Sequence, residues 1–340
     1  MSTTENNRIV WVDALKGWLI ILVVLGHAIQ SVMPEGCFSN HVWNYIYSFH
    51  MPAFMAVSGW LAFRRKSSTS ASDYAKVCVR RARQLLVPFV IWTIISVLLN
   101  KHGAINAMVN SIIYPDRSFW FLWVLFWIFC IFKGLQLISS ALKINENYAI
   151  IAVCLILMML MAVLDIRVFG FQFIAYYFFF FSVGYFLHKY EVSDIKWYFL
   201  VLLFAIWVLV GWYWSMHSLP SWFPAVKHIP TTLLQYLYRA LTATVAVVFL
   251  LCSKHVILNR RDKFNLWISD LGVVSLGIYT VHLTLLPAVT KILKGIFPGI
   301  SDFAIVPILG VFLFLISLAT VKLISKNRIA AEFLLGKVER

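Results

Sequence analysis

The fold is decided by the stretch WVDALKGWLIILVVLGHAI, which runs from Trp11 to Ile29. It is long and apolar enough to cross a bilayer as a helix, because about 20 apolar residues span the hydrocarbon core. Lys16 and His27 interrupt it, eleven residues apart. At about 100° per residue this spacing places both side chains on one helix face, about 16 Å apart along the axis. Ionisable groups are costly in hydrocarbon, so the pair indicates a functional site within the membrane.

The composition of the whole chain is that of a membrane protein. Of its 340 residues, 61% are hydrophobic and 13% are charged, and the mean hydropathy is +0.84. Soluble domains are about half apolar and about a quarter charged. The net charge of +15 would suggest nucleic acid, but the basic residues lie between apolar spans, where membrane topology explains them. We therefore expect membrane lipid, and no nucleic acid, among the partners.

The five cysteines indicate neither a disulfide framework nor a metal site. They are odd in number and scattered, and no CxxC pair occurs among them. We expect no bound metal and no permanently bound cofactor.

Hydropathy predicts an all-α polytopic membrane protein with about ten transmembrane helices. We expect the first helix to be retained, because it carries His27 and is followed by no cleavage pattern of small residues. No soluble domain of useful size separates the spans, so residues 1–340 are interpreted as one membrane domain. The predicted spans are Gly17–Met33, Val42–Phe63, Leu85–Leu99, Phe119–Leu137, Tyr148–Leu164, Phe171–Leu187, Trp197–Trp214, Leu233–Cys252, Val273–Leu293 and Phe303–Ile324.

The distribution of lysine and arginine predicts the orientation of these spans. With both termini in the cytosol, 22 of the 29 basic residues fall on the inner side and six on the outer side, with Arg239 inside a span. Cytoplasmic loops of membrane proteins carry such an excess of basic residues. The count therefore supports both the number of spans and cytosolic N- and C-termini.

Three further ionisable side chains lie away from the ends of predicted spans. His50 lies about 12 Å from an outer edge, His282 about 14 Å from an inner edge and Arg239 about 9 Å from an outer edge. If the helices are neighbours, these side chains and His27 line one central cavity. As alternatives, His50 and His282 form hydrogen bonds between helices, and Arg239 joins a buried ion pair or reaches the membrane surface.

The segment between the second and third spans is strongly basic and is interpreted as a loop. Residues 64–83 carry seven lysine or arginine side chains against Asp73, and Arg80, Arg81 and Arg83 lie closest to the span. Guanidinium groups match phosphate oxygens, which favours a phosphate site. Attachment to anionic lipid explains the cluster without a ligand.

Two other segments have a structural and a functional interpretation. Ser58 and Gly59 are small residues near the end of the second span and predict a close helix contact there. The predicted outer segment HSLPSWFPAVKHIP, from His217 to Pro230, carries Trp222 and Phe223. Aromatic side chains of this kind anchor a protein at the membrane interface, and stacking on a sugar ring is the alternative.

Taken together, these segments resemble acyltransferase family 3, the ten-span membrane acyltransferases that modify bacterial glycans. Asp13, Lys16 and His27 match the opening motif of the family, in which Asp, then Arg or Lys, precede a His. FHMPAFMAVSGWL, from Phe49 to Leu61, is similar to the second-helix signature of the branch that resembles fucose 4-O-acetylases. Lys16 departs from the arginine that is commoner in the family, which puts bidentate phosphate contact there in question.

Three later segments carry the same resemblance, in the order of the family. Arg80 and Arg83 match an RxxR pair. FWFLWVLF, from Phe119 to Phe126, resembles the fourth helix, and SLGIYTVH, from Ser275 to His282, resembles a late signature of Ser, Tyr and His. Some members carry an additional SGNH domain, and we expect none in this chain.

The resemblance implies transfer of an acetyl group from cytosolic acetyl-CoA to a hydroxyl of a cell-surface or exported glycan, or of its lipid-linked precursor. The expected location is the bacterial cytoplasmic (inner) membrane, and homo-oligomerisation is left open. His27 would act as a base or become acetylated, as either route needs a neutral imidazole. The expected catalytic residues are His27, Asp13, His282 and Arg239; the acetyl-CoA-binding residues are Lys16, Arg80 and Arg83; and the substrate-binding residues are His50, Tyr279 and Trp120.

Two alternatives remain from the sequence. A transporter or flippase for a glycan or lipid-linked sugar would use the intramembrane histidines and Arg239 as a relay or substrate site. No pair of broken helices or inverted half-repeat is visible in the sequence, which argues against it. A scaffold of a glycan-assembly complex would tolerate replacement of the histidines without loss of acetylation.

Overall fold

The computed structural model describes residues 8–63, 70–99, 104–114, 118–164, 166–192, 195–223, 230–254 and 262–337. Regular structure in these ranges is helical, with no strand. The prediction of an all-α protein is therefore confirmed. Nine residues of the count of basic residues lie outside the described ranges: Arg64, Arg65, Lys66, Lys101, Arg117, Lys227, Arg260, Arg261 and Arg340. Residues 224–229 of the outer aromatic segment also lie outside them.

Thirteen α-helices are described, and most of them match the predicted spans to within a few residues. The histidine-bearing segment at the N-terminus is one continuous helix, as its periodicity predicts. The helices are α1 Val10–Val32, α2 His41–Phe63, α3 Ala71–Leu99, α4 Ala104–Ile113, α5 Trp120–Leu142, α6 Glu146–Val163, α7 Phe171–Lys189, α8 Trp197–Trp212, α9 Thr231–Cys252, α10 Lys263–Val273, α11 Ser275–Ile296, α12 Asp302–Ile324 and α13 Arg328–Leu335.

Among the described residues, seven helices are long and apolar enough to cross a membrane: α1, α3, α5, α7 with its preceding turn, α9, α11 and α12. The remaining three predicted spans correspond to α2, which contains several polar residues, and to the shorter apolar helices α6 and α8. The chain is therefore an integral multi-pass membrane protein. The number of ten spans and the cytosolic termini stay predictions.

The structure corrects the interpretation of the basic segment as a loop. The third helix begins at Ala71, so Arg80, Arg81 and Arg83 all lie on α3. Hydropathy missed this start because arginine and lysine lower the mean hydropathy while being good helix formers. Helices α4, α10 and α13 were missed because each is much shorter than the window of about 20 residues that detects a membrane span.

The chain divides into two compact units, each described here by itself. The first unit comprises Met1–Val57 and Phe186–Ala319. In it, α1 packs against α10 and α11, and α8 packs against α9. At the predicted outer end of α1, the Ser31 hydroxyl lies 2.8 Å from the Thr290 hydroxyl, and Lys294 Nζ donates to the Val32 carbonyl at 3.1 Å.

Two glycines allow α10 to cross α1 at backbone distance. A Cβ built on Gly17 would lie 2.0 Å from the Ile268 carbonyl oxygen, and one built on Gly272 would lie 1.7 Å from the Asp13 carbonyl oxygen. Both contacts are with backbone atoms, which cannot rotate away. The paired glycines therefore fix α10 against the first turns of α1.

The second unit comprises Ser58–Tyr185 and Thr320–Arg340. In it, α3 packs against α5 and α13, and the Trp92 indole N–H donates to the Leu334 carbonyl at 2.8 Å. A Cβ on Gly59 would lie 1.8 Å from the Phe181 carbonyl oxygen. The close helix contact predicted from Ser58 and Gly59 is therefore confirmed, with α7 as the neighbour.

Lys133 is buried in the second unit. The sequence analysis had counted it among the basic residues on the inner side of the membrane. Its Nζ donates to Gln136 Oε1 at 2.6 Å, and Gln136 Nε2 donates to Glu146 Oε2 at 3.3 Å. The Tyr185 hydroxyl donates to Glu146 Oε1 at 2.6 Å. We call these four residues the Lys133 cluster.

Candidate functional site

The structure brings His27 and His282 into direct contact in the first unit. His27 Nδ1 lies 3.0 Å from His282 Nε2, and the two ring centroids are 5.2 Å apart. His282 is fully buried, whereas His27 is half-buried. The sequence left open whether these helices are neighbours, and the structure shows that α1 and α11 are. The contact is also the hydrogen bond between helices that was the alternative interpretation of His282.

The hydrogen bonds of this pair determine which nitrogen of His27 is basic. His282 Nδ1 lies 2.7 Å from the Ile278 carbonyl oxygen, which can only accept, so Nδ1 carries the proton and donates. In the neutral ring, His282 Nε2 is then an acceptor, and His27 Nδ1 donates to it. His27 Nε2 is thereby left unprotonated. The arrangement presents one imidazole lone pair as a base or a nucleophile.

His50 lies in the same unit and reaches His27 through a tyrosine. Its Nδ1 donates to the Ile46 carbonyl at 2.6 Å, one turn back on α2. The Tyr47 ring lies edge-on to both imidazoles, at 4.8 Å from His50 and 6.3 Å from His27 between centroids. We call His27, His50, His282 and Tyr47 the histidine cluster. The hydrogen bond of His50 to its own helix differs from the bond between helices that was one alternative for it.

Tyr47 also contacts the C-terminal half of α1. Its hydroxyl donates to Gln30 Oε1 at 2.8 Å, and its ring stacks on Trp43 at 3.9 Å between centroids. A Cβ on Gly26 would lie 2.9 Å from Tyr47 Cε2. Gly26 therefore allows the ring to lie against the α1 backbone beside His27.

The other predicted residues of α1 form an ion-pair cluster at the first turns of the helix. Lys16 Nζ lies 2.7 Å from Asp13 Oδ1, and Arg8 bridges Asp13 at 3.4 Å and Asp270 at 2.8 Å. The Arg8 guanidinium also donates to the Ser269 hydroxyl at 2.7 Å. Fourteen residues of helix separate Asp13 from His27, about 21 Å along the axis. Asp13 was predicted to be catalytic together with His27. In the structure it lies far from the His27 imidazole and orients Lys16 instead.

Tyr279 and Arg239 complete the predicted residues of the first unit. The Tyr279 ring centroid lies 6.0 Å from that of His282, which places Tyr279 beside the histidine cluster. The Arg239 guanidinium carbon lies 5.7 Å from the centroid of the Trp214 ring and 5.6 Å from that of Tyr236. Arg239 is therefore held by aromatic faces as a cation in the N-terminal half of α9.

Arg80 and Arg83 belong to the second unit, on one exposed face of α3. Within the described ranges neither has a carboxylate partner at ion-pair distance. Arg81, between them, points elsewhere: it donates to Gln84 Oε1 at 3.0 Å and lies 4.6 Å above the Phe129 ring. Arg80 and Arg83 are thus exposed and able to bind an anion, whereas Arg81 is packed against its neighbours.

Trp120, also in the second unit, lies in an aromatic stack. Its ring centroid lies 5.1 Å from that of Tyr177 and 4.8 Å from that of Phe173. In the first unit, Trp222 and Phe223 of the outer aromatic segment both pack near Tyr238, at 6.1 and 5.8 Å between centroids. These contacts are those of packed aromatic side chains, and Trp222 remains half exposed.

Sequence reasoning missed Tyr47, Gln30 and Arg8. Tyr47 lies three residues before His50, so its position on the same side of α2 was accessible from helical spacing. Gln30 lies one turn beyond His27, and a carboxamide inside an apolar span is itself a signal. Arg8 precedes the helix, and its partners on α10 could not be inferred, because α10 was not predicted.

Comparison with known proteins agrees with the geometry. Residues 9–322 match the family model described as the acyltransferase domain, of acyltransferase family 3. The nodulation protein NolL of Sinorhizobium fredii is 33% identical over 131 residues, which cover 36% of this chain and 35% of NolL. The nodulation protein NolL of Mesorhizobium japonicum is 34% identical over 142 residues, 38% of this chain and 36% of that relative. No solved structure matches.

The two kinds of match differ in how much of the sequence they cover. Each alignment with a NolL protein covers about a third of that relative's length, whereas the family model extends from before α1 to the last turn of α12. The matched range includes the histidine cluster, Asp13, Lys16 and the exposed arginines of α3. The chain therefore belongs to acyltransferase family 3.

Proposed function

We propose that this acyltransferase is an O-acetyltransferase of the bacterial cytoplasmic membrane. It transfers an acetyl group from acetyl-CoA to a hydroxyl of a cell-surface or exported glycan, or of its lipid-linked precursor. The observation that carries the proposal is the chain of hydrogen bonds from the Ile278 carbonyl through His282 to His27, which leaves His27 Nε2 as the basic atom. Acyl transfer to an alcohol needs such a base.

His27 would act directly on the acceptor. Its Nε2 removes the proton of the sugar hydroxyl while that oxygen attacks the thioester carbonyl, and the tetrahedral intermediate expels the CoA sulfur. The proton on His27 then passes to the leaving thiolate, which returns the imidazole to its starting state. Through both steps His27 Nδ1 keeps donating to His282 Nε2, so the ring stays oriented. Tyr279 and Arg239 are the residues we assign to stabilising the oxyanion.

A second route uses the same nitrogen as a nucleophile. His27 Nε2 attacks the thioester and expels the CoA thiolate. The oxygen of the sugar hydroxyl then attacks the acetyl-imidazole, His27 Nε2 leaves, and the hydroxyl proton passes to the CoA thiolate, which departs as the thiol. Both routes need the tautomer described above. Trapping of an acetylated His27 after brief exposure to labelled acetyl-CoA without acceptor would select the second route.

Phosphates of acetyl-CoA would be bound at the predicted cytosolic side. Arg80 and Arg83 form an exposed pair on α3 whose guanidinium groups suit phosphate oxygens. Lys16 shares a helix face with His27 about 16 Å away, and its ammonium keeps donors beyond the one directed at Asp13. We propose that Lys16 contacts the donor as a point charge, with Asp13 orienting it.

The test is acetylation of the surface glycan in cells that express His27→Ala in place of the wild-type chain. We expect mass spectrometry to show loss of the acetyl increment, while the tagged protein still accumulates in the membrane. Normal acetylation by His27→Ala would contradict the proposal. Movement of intact glycan without dependence on acetyl-CoA would instead favour a transporter.

A further inference from the structure

A second polar pair lies beside His27, on the side away from the ion-pair cluster of α1. The Tyr47 hydroxyl donates to Gln30 Oε1 at 2.8 Å. Gln30 is three residues beyond His27 on α1, so the two side chains are neighbours on the helix surface. Neither Tyr47 nor Gln30 is among the residues assigned to acetyl-CoA, and the hydrogen bond that orients the His27 ring comes from His282.

Packing fixes Tyr47 in this position before any ligand arrives. Trp43 stacks on one face of its ring at 3.9 Å between centroids, with 21° between the planes. On the side of α1, the absent side chain of Gly26 leaves room for the ring edge. The phenol is thus confined between two helices, and its hydroxyl has one direction in which to donate. Such confinement lowers the entropy lost when a ligand binds.

The pair leaves hydrogen-bonding capacity open near the His27 side chain, whose ring centroid lies 6.3 Å from that of Tyr47. Gln30 is exposed, and its Oε1 is already bonded to Tyr47, which leaves the two N–H groups of the carboxamide as donors. The Tyr47 oxygen donates its proton to Gln30 and keeps lone pairs that can accept. Donors and an acceptor beside an aromatic ring suit a polyhydroxylated molecule.

Asn44 gives an independent indication of a ligand on the same stripe of α2. Its Nδ2 donates to the Phe38 carbonyl at 3.0 Å, while its Oδ1 has no hydrogen-bond partner in the described part of the chain. Asn44 is only 6% exposed, so this acceptor is shielded from bulk water. A buried polar atom without a partner is costly, and a hydroxylated ligand would satisfy it.

The spacing of these residues gives the stripe a direction. Asn44, Tyr47 and His50 recur every third residue along α2, from its first turn toward the histidine cluster. The stripe thus connects the predicted outer end of α2 with the imidazole of His27. An acceptor that enters from the outside would meet Asn44 first and Tyr47 last.

We propose that Gln30 and Tyr47, with Asn44 farther out, form the subsite for the acceptor sugar. Gln30 and Tyr47 bind hydroxyls of the sugar ring and orient the reacting hydroxyl toward His27 Nε2. Specificity for the acceptor then resides on α1 and α2, separate from the residues assigned to acetyl-CoA. This inference rests on the proposed function, because it needs a hydroxyl acceptor at His27.

The test measures acetyl transfer by purified protein in lipid nanodiscs. The donor is acetyl-CoA labelled in the acetyl group, and the acceptor is unacetylated surface glycan, or its lipid-linked precursor, extracted from cells that lack this chain. Initial rates are recorded while each substrate is varied in turn. The variants are Tyr47→Phe and Gln30→Ala, each of which loses the shared hydrogen bond.

Tyr45→Phe is the matched control. Tyr45 lies on α2 two residues before Tyr47, and its hydroxyl donates to the Val208 carbonyl on α8. The control therefore removes the same phenolic group from the same helix, but from a contact between helices. A general effect of losing a hydroxyl on the packing of α2 would appear equally in both tyrosine variants.

We expect the kcat/KM for the acceptor to fall about tenfold in Tyr47→Phe and in Gln30→Ala, as loss of about one hydrogen bond predicts. The KM for acetyl-CoA should be unchanged, and Tyr45→Phe should keep the wild-type value for the acceptor. Unchanged acceptor kinetics in both site variants, or a drop equal to that of Tyr45→Phe, would overturn the subsite.

A raised KM for acetyl-CoA alone would also overturn it, since the pair would then belong to the donor. The two proposals fail separately. Wild-type protein that transfers no label to the glycan or its precursor contradicts the proposed function. Wild-type protein that transfers label while the site variants match it contradicts only the acceptor subsite.

Discussion

Among the residues that the structure describes, the Lys133 cluster and the histidine cluster differ in how completely their polar groups are hydrogen-bonded. In the Lys133 cluster, an ammonium, a carboxamide, a carboxylate and a phenol bond to one another, and the carboxylate accepts from two of them. In the histidine cluster, His282 and His50 bond to the carbonyls of their own helices, and His27 bonds to His282. The basic nitrogen of His27 is directed to none of these partners.

This difference indicates that the Lys133 cluster stabilises the fold and that the histidine cluster carries out the chemistry. A buried charge such as that of Lys133 is tolerated when neighbours satisfy it, and its removal is costly to the fold. An imidazole with one nitrogen engaged and the other basic is oriented but still reactive. The comparison predicts that variants of the histidine cluster lose activity first, and that variants of the Lys133 cluster lose stability first.

Replacement of His27 should have the largest effect on activity. Loss of a general base commonly lowers the rate by about 10²- to 10⁴-fold. We therefore expect the kcat of His27→Ala to be lower than that of the wild type by about the same factor. Its thermal unfolding should stay close to wild type, because His27 makes one side-chain hydrogen bond to His282. Nanodisc assays with labelled acetyl-CoA and scanning fluorimetry measure the two quantities. A normal rate in His27→Ala would remove the distinction between the clusters.

His282 should have the next largest effect, through the orientation of His27. In His282→Ala, His27 Nδ1 loses its acceptor and the ring can change tautomer, so we expect kcat to fall by about 10- to 100-fold. His282→Gln offers a carboxamide oxygen to the same N–H and should recover part of the rate. Profiles of kcat against pH distinguish positioning from packing, since only the former changes the apparent pKa of the base. Equal rates in the alanine and glutamine variants would argue for packing alone.

Lys133 tests the other side of the comparison. Lys133→Met keeps the apolar stem but removes the donor to Gln136, so we expect a loss of about 2 kcal/mol in the free energy of unfolding. The kcat of the protein that remains folded should match wild type. Unfolding in detergent followed by tryptophan fluorescence, together with acetyl transfer per folded molecule, provides the measurement. A loss of kcat at unchanged stability would place Lys133 in the chemistry.

The smallest effect should come from the exposed arginines. Arg80→Ala with Arg83→Ala removes two exposed charges from α3, and we expect the KM for acetyl-CoA to rise about 5- to 20-fold with little change in kcat. Higher salt should reduce the difference from wild type, because exposed charges are screened. Arg81→Ala is the comparison, since Arg81 packs over Phe129 and should affect stability more than donor binding. An unchanged KM for acetyl-CoA in this variant would mean that Arg80 and Arg83 serve only to orient the helix in the membrane.

Much of the fold was accessible from the sequence because membrane spans have a strong local signal. The ends of α5, α7, α9 and α12 lie within a few residues of the predicted ones. The start of α3 was missed because its first turns carry charged residues, and helices such as α10 were missed because they are short. A window that averages hydropathy cannot detect such segments.

The features of the site that lie on one helix could be predicted from the sequence, whereas those that depend on the packing of two helices could not. The shared face of Lys16 and His27 follows from helix periodicity, and the pairing of Asp13 with Lys16 follows from a separation of three residues. The contact of His27 with His282 needed the register of α1 against α11. The approach of α10 to the α1 backbone at Gly17 and Gly272 could not be predicted either, because no local pattern indicates which glycines face each other.

The protonation of the His27 ring tests the central claim most directly. Protein labelled with ¹⁵N-histidine, compared with His27→Ala by magic-angle-spinning NMR near neutral pH, gives the nitrogen shifts of this residue by difference. We predict a protonated Nδ1 and an unprotonated Nε2 in the wild type, and loss of this fixed tautomer in His282→Ala. A protonated Nε2 with a bare Nδ1 in the wild type would contradict the account.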